Sequence, residues 1–178
     1  MIRKRTAEDD RQILRLVEEE LMPLARHAFP DLKVTMKQLR QRMKRGTVYV
    51  AEEEARGKRR VAGFVIAVVQ GSNLWVDMLA VGKDHQHKGL GAALLTKAEE
   101  EGRRLGCESS QLLVDRINRR AQTFYARKGY MMNWYVQEVQ CYKMIKELAV
   151  SSASHHPHQA GLPNQPGGSY PIVYPGWP

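Results

Sequence analysis

Residues 74–92 read LWVDMLAVGKDHQHKGLGA, and three kinds of local structure follow one another in them. Leu74 to Val81 is an apolar, strand-like run. Gly82 to Lys88 is polar and opens on a turn residue. From Leu90 onward, Leu94, Leu95, Ala98 and Leu105 recur on or near one helical face. Gly89 and Gly91 stand where that helix begins. A helix N-terminus carries unpaired N–H groups and partial positive charge. Glycine there lets an anion reach the backbone with no Cβ in the way. The ligand that suits this junction is a phosphate or pyrophosphate.

Spacing narrows the choice of phosphate site. A dinucleotide fingerprint needs G-x-G-x-x-G/A, and Leu94 stands at its third position. A P-loop needs a Gly-Lys-Ser/Thr ending, which is absent. What stands here is Gln86-His87-Lys88-Gly89-Leu90-Gly91-Ala92, directly after a strand ending Leu79-Ala80-Val81. Taken alone, this run is equally an ordinary strand–turn–helix junction. A second run, Asn118 to Tyr130, reads NRRAQTFYARKGY. Asn118 is a good N-cap. Tyr125 follows seven residues later, nearly two turns on, and shares its face. On its own, a helical tyrosine beside Phe124 reads as core.

The two runs, in this order, resemble the GNAT N-acetyltransferase superfamily. The first is similar to its acyl-CoA pyrophosphate loop, [RQ]-x-x-G-x-[GA]. The second is similar to its N-x-x-A-x-x-x-Y-x-x-x-G-[FY] helix. The resemblance spans Ile2 to Lys146. It implies two central parallel strands splayed apart, with the pantetheine of acetyl-CoA in the gap. It implies that Leu79, Ala80 and Val81 meet the cofactor, the backbone of Leu79 and Val81 pairing with the pantetheine. Gln86, His87, Lys88, Gly89, Leu90, Gly91 and Ala92 would hold the pyrophosphate, and Asn118 would touch the cofactor. Tyr125 would face the thioester sulfur as general acid. Lys83, Lys88, Arg119 and Arg120 are candidates for outer phosphate contacts, each also readable as plain surface charge. Asp77, on the motif strand and alternating with Met78, is the tentative base. Glu19 and Glu20 could also reach the acceptor end. The expected activity is direct transfer of an acetyl group from acetyl-CoA to a primary amine, on a small molecule or a peptide. The alternative is a non-catalytic CoA-binding or protein-interaction module on the same fold.

Composition agrees with an anionic ligand. The net charge is +9 over 178 residues. No zinc-finger, RNA-binding or basic-zipper pattern accompanies it, so a small anionic cofactor is preferred over a nucleic acid. Cys107 and Cys141 form no C-x-x-C pair, so neither a disulfide framework nor a metal site is expected. With no membrane-length apolar run and no signal pattern, a cytoplasmic protein with reduced thiols is the expectation.

The remaining elements follow from periodicity and punctuation. Ile2 to Thr6 is a strand, and Thr6 caps a helix beginning near Glu8. Pro23 and Pro30 bracket an irregular connection. Thr35 to Arg45 is helical. Thr47 to Glu52 and Val61 to Gln70 are strands joined around Gly57. Ser110 to Val114 is a strand, and Tyr130 to Lys146 makes two more with a break near Gln137-Glu138. The order β-α-α-β-β-β-α-β-α-β-β predicts an α/β (α+β) domain over residues 1–148, with a mixed, mostly antiparallel sheet flanked by helices.

Residues 149–178 read as an appended tail. From Ser151 onward they contain no Asp, Glu, Lys or Arg, and hold six of the eight prolines. His155, His156 and His158 are read as a solvated turn rather than a metal site. Tyr170 to Trp177 is expected to pack in extended form on its own domain or on a second subunit, which leaves a homodimer open.

Overall fold

The structure is a computed structural model, and it describes residues 1–55 and 57–148. The expectations for the tail, including His155, His156, His158 and Tyr170 to Trp177, lie outside the described residues. Seven strands are β1 (Ile2–Lys4), β2 (Thr47–Ala55), β3 (Lys58–Gln70), β4 (Asn73–Val81), β5 (Ser109–Asp115), β6 (Met131–Val136) and β7 (Cys141–Glu147). They form one sheet in the order β1-β2-β3-β4-β5-β7-β6. Every neighbouring pair is antiparallel except β4 with β5. The mixed sheet expected from the sequence is therefore present.

Burial of the sheet on both faces explains the long apolar run of β3. Val48 and Val50 of β2 and Phe64, Ile66 and Val68 of β3 pack on one face. There they meet α1 (Asp10–Leu16), α2 (Met22–Ala28) and α3 (Met36–Met43), through Ile13, Leu16, Met22 and Leu39. The alternate residues Tyr49, Ala51, Val65 and Ala67 pack on the other face against Leu94, Leu95 and Ala98 of α4 (Leu90–Arg104). Period-two alternation on both strands sorts the side chains between two apolar layers. The fifth helix, α5 (Arg119–Arg127), lies on this second side and contributes Tyr125.

Three local features position the site. Thr35 caps α3 in a reciprocal pair: Gln38 N–H donates to Thr35 Oγ1 at 3.3 Å, and Thr35 N–H donates to Gln38 Oε1 at 2.9 Å. Residues Val17–Leu21 form a π turn between α1 and α2, closed by Met22 N–H on the Val17 carbonyl. Met22–Ala28 is helical, which corrects the irregular connection expected around Pro23. That proline sits in the first turn, where its missing N–H costs no bond. Among the described residues no helix is long and apolar enough to cross a membrane.

Candidate active site

The site begins where the parallel pair opens. β4 and β5 are in register only over Asn73, Leu74 and Trp75, opposite Ser109, Ser110 and Gln111. Beyond Trp75 the two strands part, although β4 runs on to Val81 and β5 to Asp115. On its other side β4 stays paired with β3 as far as Val81, opposite Gly63. The last residues of β4, including Leu79, Ala80 and Val81, therefore face no strand on the β5 side, where the Val81 carbonyl accepts a side-chain amide from Gln86. Such an edge can hydrogen-bond an extended ligand as a strand would.

A bulge marks the start of the split. Ile66 opposes Met78 while Ala67 opposes Val76, so Asp77 is an extra residue on β4. Its side chain consequently shares the α3 side with Met78 instead of alternating with it. Arg42 of α3 grips Asp77 through both oxygens, Nε to Oδ2 at 2.8 Å and Nη2 to Oδ1 at 2.7 Å. The two side chains are 3% and 7% exposed. The carboxylate is thus engaged by a fork, not presented to a substrate.

At the end of β4 the chain turns into α4 through a loop with left-handed backbone at His87 (φ 62°) and Gly89 (φ 79°). Successive turns of this kind gather N–H groups into an anion-binding concavity. The backbone N–H groups of His87 to Ala92 have no hydrogen-bond partner among the described residues. Gly89 N-caps the helix in a conformation that a side chain would strain. At Gly91 an added Cβ would find its nearest neighbours at 3.6 Å, ordinary contact. Packing does not demand glycine at 91.

Glu20, on the π turn, braces this loop. Its carboxylate accepts from Lys83 N–H at 2.9 Å and from Gln86 Nε2 at 3.1 Å. Gln86 Nε2 also donates to the Val81 carbonyl at 2.8 Å, so this side chain ties the loop to the strand end. Glu19 lies on the surface, 3.8 Å from Arg15.

A cavity of about 770 Å³ runs from this loop along the open edge of β4 to α5. Leu79, Ala80 and Val81 line it, as do Gln86, His87, Gly89, Leu90, Gly91 and Ala92. On the far wall stand Asn118, Arg120, Phe124, Tyr125, Arg127 and Lys128. The structure therefore brings together every residue anticipated around the first motif except the Lys88 side chain, which is exposed and does not line the cavity. Nor do Lys83 and Arg119. Arg120 does, and its Nη2 lies 2.8 Å from His87 Nε2. Arg127 and Lys128 were missed from sequence, although their helical phase relative to Phe124 carried the signal. Asn118 accepts Ala121 N–H at 3.0 Å, which fixes the start of α5 at the cavity wall.

A second, smaller cavity of about 110 Å³ meets the first at Leu21, Leu24, Leu79, Asn118, Ala121 and Tyr125. Its remaining lining is mostly apolar, including Phe29, Met78, Leu113 and Val139, with two carboxylates, Asp77 and Asp115. Asp115 closes β5. One of its oxygens accepts Ile117 N–H at 2.9 Å, and no ion pair holds it among the described residues. Sequence reasoning passed over it, because nothing local distinguishes it from other strand-end aspartates.

Tyr125 stands at the junction of the two cavities. Edge-to-face contacts with Phe124 (5.1 Å, 68°) and Tyr130 (5.7 Å, 66°) fix its ring. No hydrogen bond holds its hydroxyl among the described residues. Burial pushes that phenol up from its ordinary value. Behind it, Tyr130 donates to Glu99 Oε1 at 3.0 Å and lies 2.6 Å from Ser110 Oγ, which locks the neighbouring ring. Cys141, on the smaller cavity, is pushed up to about 12 by burial first and by the Asp115 charge second. It is a poor nucleophile there.

Comparison with known proteins agrees with this geometry. The family model described as the Acetyltransferase (GNAT) family matches residues 14–130, more than half of the chain. No match is found among curated proteins. Among solved structures, Ard1 from Thermoplasma volcanium is 19% identical with a TM-score of 0.64, covering 84% of this chain and 97% of that one. The ribosomal-protein-S18-alanine N-acetyltransferase from Escherichia coli is 19% identical with a TM-score of 0.65, covering 89% and 99%. The PaiA N-acetyltransferase from Thermoplasma acidophilum, in complex with coenzyme A, is 17% identical with a TM-score of 0.65, covering 83% and 98%. At these identities the likeness concerns the fold.

Proposed function

The chain belongs to the GNAT acetyltransferase family, and from that premise we propose that it moves an acetyl group from acetyl-CoA directly to a primary amine. The observation that carries this reading is the continuity of the larger cavity. It joins a loop of unpartnered N–H groups, an open strand edge and Tyr125, and meets the smaller cavity at that residue.

The pyrophosphate takes the N–H groups of His87 to Ala92 at the start of α4, where the helix dipole favours an anion. Arg120, Arg127 and Lys128 supply positive charge along the same wall. The pantetheine lies in the opening between β4 and β5 and pairs with the open edge at Leu79 to Val81. This places the thioester at Tyr125 and the acceptor in the smaller cavity. The acceptor there is a small-molecule or peptide amine whose adjoining carbon skeleton is apolar, matching the lining.

The chemistry follows from the proton balance. An alkylammonium near pKa 10.4 must lose a proton before attack, at roughly 4–5 kcal/mol at pH 7. We give that proton to Asp115, directly or through a water, because its carboxylate opens on the acceptor cavity free of a cationic partner. Asp77 was the tentative base. With both oxygens committed to Arg42 it is better read as the residue that holds α3 to the bulge. The amine nitrogen then bonds to the carbonyl carbon, and the carbonyl π electrons move to oxygen. Collapse of this intermediate breaks the C–S bond, and Tyr125 O–H protonates the departing thiolate. The nitrogen sheds a second proton as it becomes an amide, and that one restores Tyr125; the first passes from Asp115 to solvent, so the reaction releases one proton overall. Ordinary pKa values put tyrosine about 1.5 units above a thiol, a cost of roughly 2 kcal/mol. Burial raises Tyr125 further, but it raises a thiolate released in the same pocket for the same reason. Burial also keeps the donor protonated throughout the neutral range.

A panel of primary amines with acetyl-CoA, followed by release of free thiol, tests the reading. Amines with apolar substituents are expected to turn over. Tight CoA binding with no thiol release across the panel would favour a non-catalytic CoA-binding module instead.

A further inference from the structure

Residues 32–51 hold six lysines and arginines and no aspartate or glutamate, although the chain contains 19 acids. The run includes α3, whose buried face is Leu39, Arg42 and Met43. On the opposite face Lys37, Arg40 and Lys44 recur at i, i+3 and i+7, and all three are exposed. Lys33 and Arg45, just beyond the two ends of the helix, are exposed as well. Little negative charge offsets this stripe. Arg40 Nε lies 2.7 Å from Asp10 Oδ2, but that carboxylate also holds Arg5. The Asp10 side chain is 2% exposed and that of Arg40 54%, so the acid is inside and the cation faces water. Lys33, Lys37, Lys44 and Arg45 take part in no ion pair among the described residues.

We propose that this face of α3 is a docking surface for an acidic polypeptide segment, separate from the acetyl-transfer site. Charge complementarity picks the partner, and spacing agrees with it. Lys37 to Lys44 spans about 10 Å along the helix. In an extended chain, side chains on one side stand about 6.7 Å apart. Three alternating carboxylates therefore cover about 13 Å, a difference that flexible lysine stems absorb.

Other polyanions fit this face less well. Docking on an anionic membrane calls for apolar side chains beside the bases. The large apolar side chains exposed among the described residues all lie outside residues 32–51. Single-stranded nucleic acid calls for aromatic faces on which bases stack. Tyr49, the one aromatic residue in the run, is buried on the α4 side of the sheet. A phosphate seated at a helix start needs free N–H groups in the first turn, and here Gln38 N–H is held by Thr35. Exposed ion pairs are individually weak and are screened by salt, so the contact is a transient one.

The test uses the full chain and a short peptide of alternating Glu and Ser, its amino terminus blocked by a fluorophore. Anisotropy is read at low and at physiological salt, with CoA in excess to keep the peptide out of the anion loop. Wild type is expected to bind at low salt and to release the peptide as salt rises. Lys37→Glu/Lys44→Glu should weaken binding roughly tenfold or more, and Lys37→Gln/Lys44→Gln, a milder change, should fall between. Lys97→Glu/Arg104→Glu makes the same charge change on α4, across the sheet, and should stay within about twofold of wild type. No binding by wild type, equal affinity in wild type and both α3 variants, or an equal loss in the α4 variant would overturn the proposal. An RNA duplex or phosphatidylserine vesicles that bind more tightly than the peptide, and lose binding in the α3 variants, would give the face to a nucleic acid or a membrane and overturn it likewise.

Discussion

Replacing Arg42 by methionine leaves the Asp77 carboxylate inside the protein without its fork. The pair is bidentate at 2.7 and 2.8 Å, and its side chains are 7% and 3% exposed. Removing one partner of such a pair costs about 3–5 kcal/mol, mostly for the charge left buried. For a domain of this size 1 kcal/mol moves Tm by roughly 2–4 °C, so a fall of about 6–20 °C is expected. Asp77→Leu alone takes the carboxylate from the buried guanidinium and should also lower Tm. The double variant Arg42→Met/Asp77→Leu leaves no buried charge and should regain most of the loss, to within about 2 kcal/mol of wild type. Calorimetry on the four proteins measures this cycle. Steady-state rates on the double variant separate structure from chemistry. A positioning role predicts kcat within a fewfold of wild type and an unmoved pH profile. If the double variant is stable but kcat falls by roughly a hundredfold or more with loss of the ascending pH limb, Asp77 is the base after all, and the assignment to Asp115 is wrong.

Three further outcomes follow from the geometry. Gly91→Ala should leave stability within about 0.5 kcal/mol of wild type, because the nearest neighbours of its Cβ stand at 3.6 Å. Gly91→Glu should weaken CoA binding roughly a hundredfold or more by setting like charge against the pyrophosphate; titration calorimetry compares the two. Glu20→Gln removes one of two carboxylate acceptors from the loop and should cost about 1–2 kcal/mol, read as a lower Tm in the absence of CoA and a severalfold weaker CoA affinity. Stability should fall on the alkaline side. The Cys141 thiol, ordinarily 9.0, stands at about 12 in the fold, so the unfolded chain releases its proton first. The contribution is complete below about pH 9 and is lost between about pH 9 and 12, at roughly 1.4 kcal/mol per pH unit. Tyr125 and Tyr130, both raised by burial, add the same sign above about pH 10. Melting curves across that range should be flatter for Cys141→Ala.

The parts of the site visible in the sequence are those whose chemistry is local. Gly89, Gly91 and the helical phase of α4 write the glycine loop and helix start in consecutive residues, and Asn118 writes its cap three residues before Ala121. Strand β3 was equally legible, from an apolar run. What was not legible depends on residues far apart in the chain. The bulge at Asp77 arises from the register of β4 on β3, and its meaning depends on Arg42, thirty-five positions earlier. The opening between β4 and β5 is set by where pairing stops, at Trp75 and Gln111, which no local pattern states. The π turn puts Glu20 against the loop, although its run of three glutamates reads as a solvated face. Pro23 and Pro30 suggest an irregular connection, yet the first turn of a helix tolerates a proline, and Pro23 stands there.

The most direct test of the account is acetyl transfer by Tyr125→Phe, which keeps the ring and its edge-to-face contacts but removes the hydroxyl. With isotopically labelled acetyl-CoA and an amine that the wild type accepts, single-turnover formation of acetylated amine should slow by roughly ten- to a thousandfold, the range of one general acid. CoA affinity and Tm should stay near wild type, because no hydrogen bond of that hydroxyl is lost among the described residues. An unchanged single-turnover rate in the folded variant would return Tyr125 to the core and contradict the mechanism.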